Sequence, residues 1–175
     1  MASRKKAKNK SPKRPSIYHP IKSRKTAPAV TVDDVASIDA IVKALYGAIS
    51  FSGGAEPDWG RLRSLFYPGA TLTHAKADKT DVLDVEGFIA GGRKVIKSGK
   101  LASFYESEVS RKIESYGRIA QVFSTYESRF TPAEREPFSR GINSIQLLQE
   151  NGRWWVLSIF WTDESTDGPV PAQYL

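Results

Sequence analysis

The chain has 175 residues, 40% of them hydrophobic, and a net charge of +7 from 26 Lys and Arg against 19 Asp and Glu. That length and apolar content fit one domain around one core. The absence of cysteine excludes disulfides, thiolate metal sites and cysteine nucleophiles, and no apolar run approaches the roughly 18 residues of a membrane span.

The positive charge is not evenly spread. Residues 1–28 hold ten Lys or Arg and four prolines but no acid, leaving 16 basic and 19 acidic residues and a net charge of −3 for the remainder. With almost no large apolar side chain, residues 1–29 cannot bury enough surface to offset chain entropy and are expected to be disordered. Such an arm either adheres to nucleic acid or another anionic surface, or is a solvated extension. Any nucleic-acid contact is expected through it alone. No charged n-region precedes an apolar h-region, so a cytoplasmic protein is expected. Residues 30–175 should form the folded domain.

The first helix is expected to begin near Thr31, where Thr-Val-Asp-Asp places an acid three residues after a capping hydroxyl. Val35, Ile38, Val42, Leu45 and Ile49 then recur at spacings of three and four, one apolar stripe, and Gly53-Gly54 ends it. A second helix, capped by Asp58, buries Trp59, Leu62, Leu65 and Phe66 and closes at Pro68-Gly69. Residues 70–75 (ATLTHA) form a short β-prone piece carrying His74. Residues 76–84 are polar and read as a loop, whose acids Asp78, Asp81 and Asp84 lack calcium-loop spacing. No metal site is expected. Asp84 caps a third helix with Phe88, Ile89, Val95 and Ile96 inward. Gly91-Gly92 sits in its interior, where glycine is costly, so close packing against a neighbour is expected.

Strands follow. LASFYESEVSRKIES alternates roughly and reaches a turn at Tyr116-Gly117. RIAQVFSTYESRF, SRGINSIQLLQE and RWWVLSIFWTDE come next, the last two joined by Asn151-Gly152 alone. Asn-Gly supplies the two positive-φ residues of a type I′ hairpin turn. Helices followed by a run of antiparallel strands mean α+β, with the helices on one face of a sheet.

VFSTYESR (122–129), RGINSIQLL (140–148), RWWVLSIFWTDE (153–164) and the ending PVPAQYL resemble the nuclear transport factor 2-like superfamily, specifically its bacterial SnoaL-like subgroup. The resemblance implies a cone: a strongly curved, mostly antiparallel sheet wrapped around three helices, with a hollow interior. The superfamily includes isomerases, dehydratases, cyclases and epoxide hydrolases as well as binding modules without chemistry. The acid base of its steroid-isomerase branch and the acid-arginine-acid set of its epoxide-hydrolase branch have no clear counterparts here.

A pocket on the concave face makes strand parity decisive. On the last strand Trp154, Val156, Ser158, Phe160 and Thr162 share one face, and Trp155, Leu157, Ile159 and Trp161 the other. The resemblance implies that the Trp154 set faces inward, which leaves the Trp155 set for a two-fold homodimer interface. His74, the body's only histidine, is a candidate acid or base, or a strand-end histidine bonded to backbone or water. Asn143, an amide in an apolar strand, and Tyr126 are candidates to stabilise developing negative charge. Tyr126 and Arg129 have opposite parities, so one of them at most points inward. Arg140 either binds an anion or pairs with Glu127 or Glu106. Tyr46, Trp59, Phe88, Arg129, Arg140, Ser158 and Phe160 are the expected ligand-binding set. Dinucleotide, serine-elbow and zinc-helix motifs are absent, and no cofactor is expected. Two functions fit: a domain binding a small hydrophobic molecule in an apolar pocket, or a cofactor-free lyase, isomerase or hydrolase acting on one by acid/base chemistry.

Overall fold

The structure is a computed structural model that describes residues 31–175. The expected basic arm, residues 1–29, lies outside the described residues. The described chain is α+β, with a six-stranded mixed sheet curled around helices, as expected. Helices α1 (Ile38–Ile49), α2 (Trp59–Leu65) and α3 (Val85–Lys97) precede or interleave with strands β1 (Phe66–Ala75) and β2 (Thr80–Asp84). Strands β3 (Tyr105–Tyr116), β4 (Ile119–Arg129), β5 (Ser139–Glu150) and β6 (Arg153–Asp163) follow, and a single turn, α4 (Glu164–Asp167), leads to the C-terminus. The sheet order is β2-β1-β6-β5-β4-β3. All neighbours are antiparallel except β1 and β6. None of the described helices is long and apolar enough to cross a membrane.

Local chemistry explains most boundaries. Asp58 and Asp84 cap α2 and α3, accepting from the backbone N–H of Arg61 and Gly87 at 2.9 and 2.7 Å. Asn151 and Gly152 both have positive φ, 53° and 76°, as the hairpin between β5 and β6 requires.

Three expectations are corrected. Thr31 makes no side-chain cap; it leads into a 3-10 turn over Val32–Val35, and Ser37 caps α1 through Ala40 N–H at 3.1 Å. The second helix stops at Leu65, and Pro68-Gly69 lies inside β1, where Gly69 takes φ 86°. The segment read as a loop contains β2, which pairs with β1 from Thr71↔Asp84 to Ala75↔Thr80. Its outward-and-inward alternation is short, and charged ends masked it.

The core lies between the helices and the concave face. Ile41, Val42 and Leu65 from the helices meet Val122, Ile145 and Val156 from the sheet, all fully buried. Burying a Val, Leu or Ile side chain contributes about 1.5–3 kcal/mol, so this contact is what holds the cone shut.

Two bulges set which side chains reach the interior. On β6, Val156 opposes Leu147 and Ser158 opposes Gln146, which leaves Leu157 as an extra residue. Across from it β1 is irregular too, with Phe66 opposite Val156 and Thr71 opposite Ser158. An extra residue reverses the side-chain alternation beyond it. Trp154 and Val156 therefore point inward as expected, but after Leu157 it is Ile159 and Trp161 that do. Ser158 and Phe160 turn outward, and Phe160 is 51% exposed. This corrects both the inward set and the proposed dimer face. A second bulge at Val109 keeps Glu106 and Glu108 on the inner face opposite Ser128 and Tyr126.

Candidate functional site

Between the helices and the concave sheet lies a cavity of about 390 Å³. Its walls are aromatic and aliphatic, with Trp59 and Phe66 from the α2 region, Phe88 on α3, and Trp161 on β6. Polar atoms enter from the sheet in register. Ser124, Asn143, Trp161, His74 and Asp81 are successive partners across β4, β5, β6, β1 and β2, one transverse inner row.

Of the expected site residues, His74, Tyr126, Asn143, Tyr46, Trp59 and Phe88 line the cavity. Arg129, Arg140, Ser158 and Phe160 do not. Ser158 and Phe160 are turned out by the Leu157 bulge. Arg129 and Arg140 stand on the outward parity and both clasp Glu127, each at 2.5 Å. Burial alone would raise the Glu127 carboxyl, but hydrogen bonds from Arg140 and Arg129 outweigh it and hold the group below its ordinary range. The two arginines are thus structural partners of one carboxylate.

The hydrogen bonds at the polar end run in one direction. Glu108 is paired with Arg111 at 2.6 Å and accepts from Ser124 Oγ at 2.5 Å. Ser124 has one hydroxyl hydrogen, so in its 2.7 Å contact with Tyr46 it must accept. Tyr46 therefore donates to Ser124, and its oxygen accepts from Asn143 Nδ2 at 3.2 Å. Tyr46 has no hydrogen left for a ligand, whereas the Asn143 amide keeps a second N–H. Burial pushes the Tyr46 and Tyr126 hydroxyls well above the usual phenol range, so both stay protonated. Tyr126 reaches the wall because its partner on β5 is Gly141: a Cβ there would lie 2.7 Å from the Tyr126 hydroxyl and 2.2 Å from the Thr162 carbonyl oxygen.

Two titratable groups face this space with incomplete pairing. Glu106, on β3, lines the cavity, and its carboxyl accepts from Ser128 Oγ at 3.0 Å. Among the described residues no Lys or Arg forms an ion pair with it. Burial pushes its pKa up to about 7, with the Ser128 hydrogen bond acting in the opposite direction. His74 stacks on Trp161, ring centroids 4.8 Å apart. Its Nε2 is buried without a hydrogen-bond partner, and Asp163 Oδ2 lies 3.7 Å away, beyond hydrogen-bond distance. Burial and the nearby Lys76 lower the His74 pKa, and Asp163 offsets this only in part, so the imidazole is neutral at neutral pH. At the rim Lys76 is tied to Asp81 at 2.5 Å.

Sequence reasoning did not single out Glu106 as a site residue. The signal was present, since Glu106 and Glu108 are two acids at the same parity of a strand facing a covered surface. The bulge at Val109 blurs that alternation.

No protein-family model and no curated protein matches the chain. Its backbone is similar to that of several solved structures. An NTF2-like protein of unknown function from Silicibacter pomeroyi is 16% identical, with TM-score 0.51, over 72% of this chain and 92% of that one. A candidate dehydratase of the NTF2-like family from Streptomyces avermitilis is 13% identical, with TM-score 0.53, over 72% and 93%. A candidate aromatic ring hydroxylase from Novosphingobium aromaticivorans is 10% identical, with TM-score 0.54, over 72% and 85%. At these identities the likeness establishes the fold, which is NTF2-like, and not a reaction.

Proposed function

We propose that the cavity binds a small, largely apolar molecule and moves a proton on it, with Glu106 as the acid/base. The observation that carries this reading is a carboxyl enclosed by an aromatic cavity, paired with no cation among the described residues, and poised near neutrality. A side chain that titrates near the working pH can both accept and return a proton, and an ion-paired carboxylate such as Glu127 cannot. The volume falls in the range of small-molecule sites, and the apolar walls would hold a carbon skeleton while excluding water. The free N–H of Asn143 is the group suited to a carbonyl oxygen on which negative charge develops. Proton abstraction next to that carbonyl, with return at another carbon or loss of a leaving group, gives an isomerase or a lyase. Neutral His74 is a second donor or acceptor on the opposite side of the row. The SnoaL-like assignment belongs to this reading, supported by the strand motifs and by the likeness to a candidate dehydratase. Homodimerisation, a cytoplasmic location and contact of the basic arm with nucleic acid also stand as proposals.

Binding is testable without knowing the substrate. Trp59 and Trp161 line the cavity, so a small apolar ketone such as 2-tetralone is expected to quench tryptophan fluorescence saturably, and Asn143→Leu to weaken that binding. Absence of saturable quenching by the wild type would overturn the reading.

A further inference from the structure

Helix α3 carries two consecutive glycines in its interior, although glycine is the poorest helix former short of proline. Gly92 has a packing reason, since a Cβ there would lie 2.8 Å from the Trp59 ring. Gly91 has no such reason. A Cβ built on it would meet no atom within 4 Å, yet the residue both lines the cavity and is exposed to solvent. Its backbone is helical, so glycine is not needed for a positive φ either. At Gly91, bare helix backbone therefore borders both the cavity and solvent. Phe88 and Ile96, on the same helix, continue the cavity lining, whereas the adjacent Ala90 borders a separate depression with Arg63 and Lys94.

We infer that Gly91 holds open the passage through which a ligand enters the cavity, and that the feature in use is its missing side chain. The inference rests on the proposed binding of a small apolar molecule. A side chain at this position would project into the passage without displacing any protein atom. It would slow entry and exit together and leave the affinity nearly unchanged, which separates a passage residue from a contact residue, whose loss acts mostly on dissociation.

The absence of cysteine makes the test clean. Gly91→Cys carries a unique thiol, which benzyl methanethiosulfonate converts to a bulky mixed disulfide and dithiothreitol restores. The probe is N-phenyl-1-naphthylamine, a neutral fluorophore, followed by stopped-flow mixing. Modified Gly91→Cys should show association and dissociation both slowed by about tenfold or more relative to the same protein before modification, with recovery on reduction. Because the same folded protein is measured before and after, a folding defect cannot imitate the effect. Ala90→Cys modified in the same way should bind at the wild-type rate. Wild-type association rates in modified Gly91→Cys, or a changed affinity with unchanged association, would overturn the passage. No probe binding by the unmodified wild type would instead overturn the small-molecule reading, and the passage with it.

Discussion

Replacing Glu106 with glutamine should stabilise the protein, but only where the carboxyl would otherwise be ionised. The unfolded chain releases this proton near 4.5, and the folded one near 7. The folded state therefore binds the proton more tightly, and stability must fall as pH rises from 4.5 to 7. Below 4.5 both states are protonated, and the group costs nothing. Above 7 the cost is complete, and at about 1.4 kcal/mol per tenfold change in the protonation equilibrium it reaches at most about 3 kcal/mol. Glutamine is close in shape to the protonated acid and can still accept from Ser128 Oγ. Glu106→Gln should thus match wild type at pH 4 and exceed it by up to about 3 kcal/mol at pH 8, a midpoint difference of roughly 6–12 °C for a domain of this size. Chemical denaturation of both proteins at the two pH values gives the double difference, in which every other titrating group cancels. A stability difference that is the same at pH 4 and pH 8 would refute the reasoning.

His74 acts with the opposite sign: its folded pKa lies below the unfolded 6.5, so its contribution is complete above 6.5 and is lost as pH falls through that value. His74→Gln should flatten the acid limb of the stability profile, and an unchanged limb would count against a buried, neutral imidazole. Asn143→Leu should cost only about 1 kcal/mol, because Tyr46 keeps its bond to Ser124, while ketone binding measured by tryptophan quenching weakens by about tenfold or more; collapse of the fold would make Asn143 purely structural. Gly141→Ala forces a Cβ to 2.2 Å from the Thr162 carbonyl and should cost about 1–3 kcal/mol or more in the same denaturation assay; a neutral result would mean that the β5–β6 spacing relaxes freely. If the outer face is a two-fold interface, exposed Phe160 and Val82, which flank Thr73 on neighbouring strands, are its centre, and Phe160→Glu should sediment as monomer; a wild type that is itself monomeric at micromolar concentration would contradict the dimer.

How much of this was legible in the sequence follows from where local and non-local effects decide. The helix caps at Asp58 and Asp84 and the Asn-Gly hairpin are local chemistry, and they read directly. The pairing of Arg140 with Glu127 was one of the readings the sequence left open, beside Glu106 and a bound anion, and the register of β4 and β5 decides it. The inner set of β6 did not. Its residues alternate without a break in the sequence, and no residue type marks Leu157 as extra; the bulge shows only in the registers with β5 and with the irregular Pro68-Gly69 stretch of β1. That one residue moved Trp161 from an expected interface into the cavity, and Phe160 the other way. Glu106 was missed for a related reason: its neighbour Glu108 and the polar residues after it suggest a solvated strand. Burial there is supplied by α1 and the residue that ends it, through Tyr46 and Ser50, whose hydroxyl donates to the Tyr46 carbonyl oxygen at 2.8 Å and accepts from the Glu106 N–H at 3.0 Å. Gly91-Gly92 signalled close packing, which holds for Gly92 against Trp59 and not for Gly91.

The central claim is that Glu106 moves a proton on a molecule held in the cavity. The most direct measurement is exchange of the protons adjacent to the carbonyl of a bound apolar ketone into D₂O, followed by NMR across pH 5 to 9 for wild type and Glu106→Gln. The account requires protein-dependent exchange that rises through about pH 7, where Glu106 becomes a base, and that disappears in Glu106→Gln while ketone quenching of tryptophan persists. Exchange that is equal in the two proteins, or ketone binding by wild type without any acceleration of exchange, would contradict it.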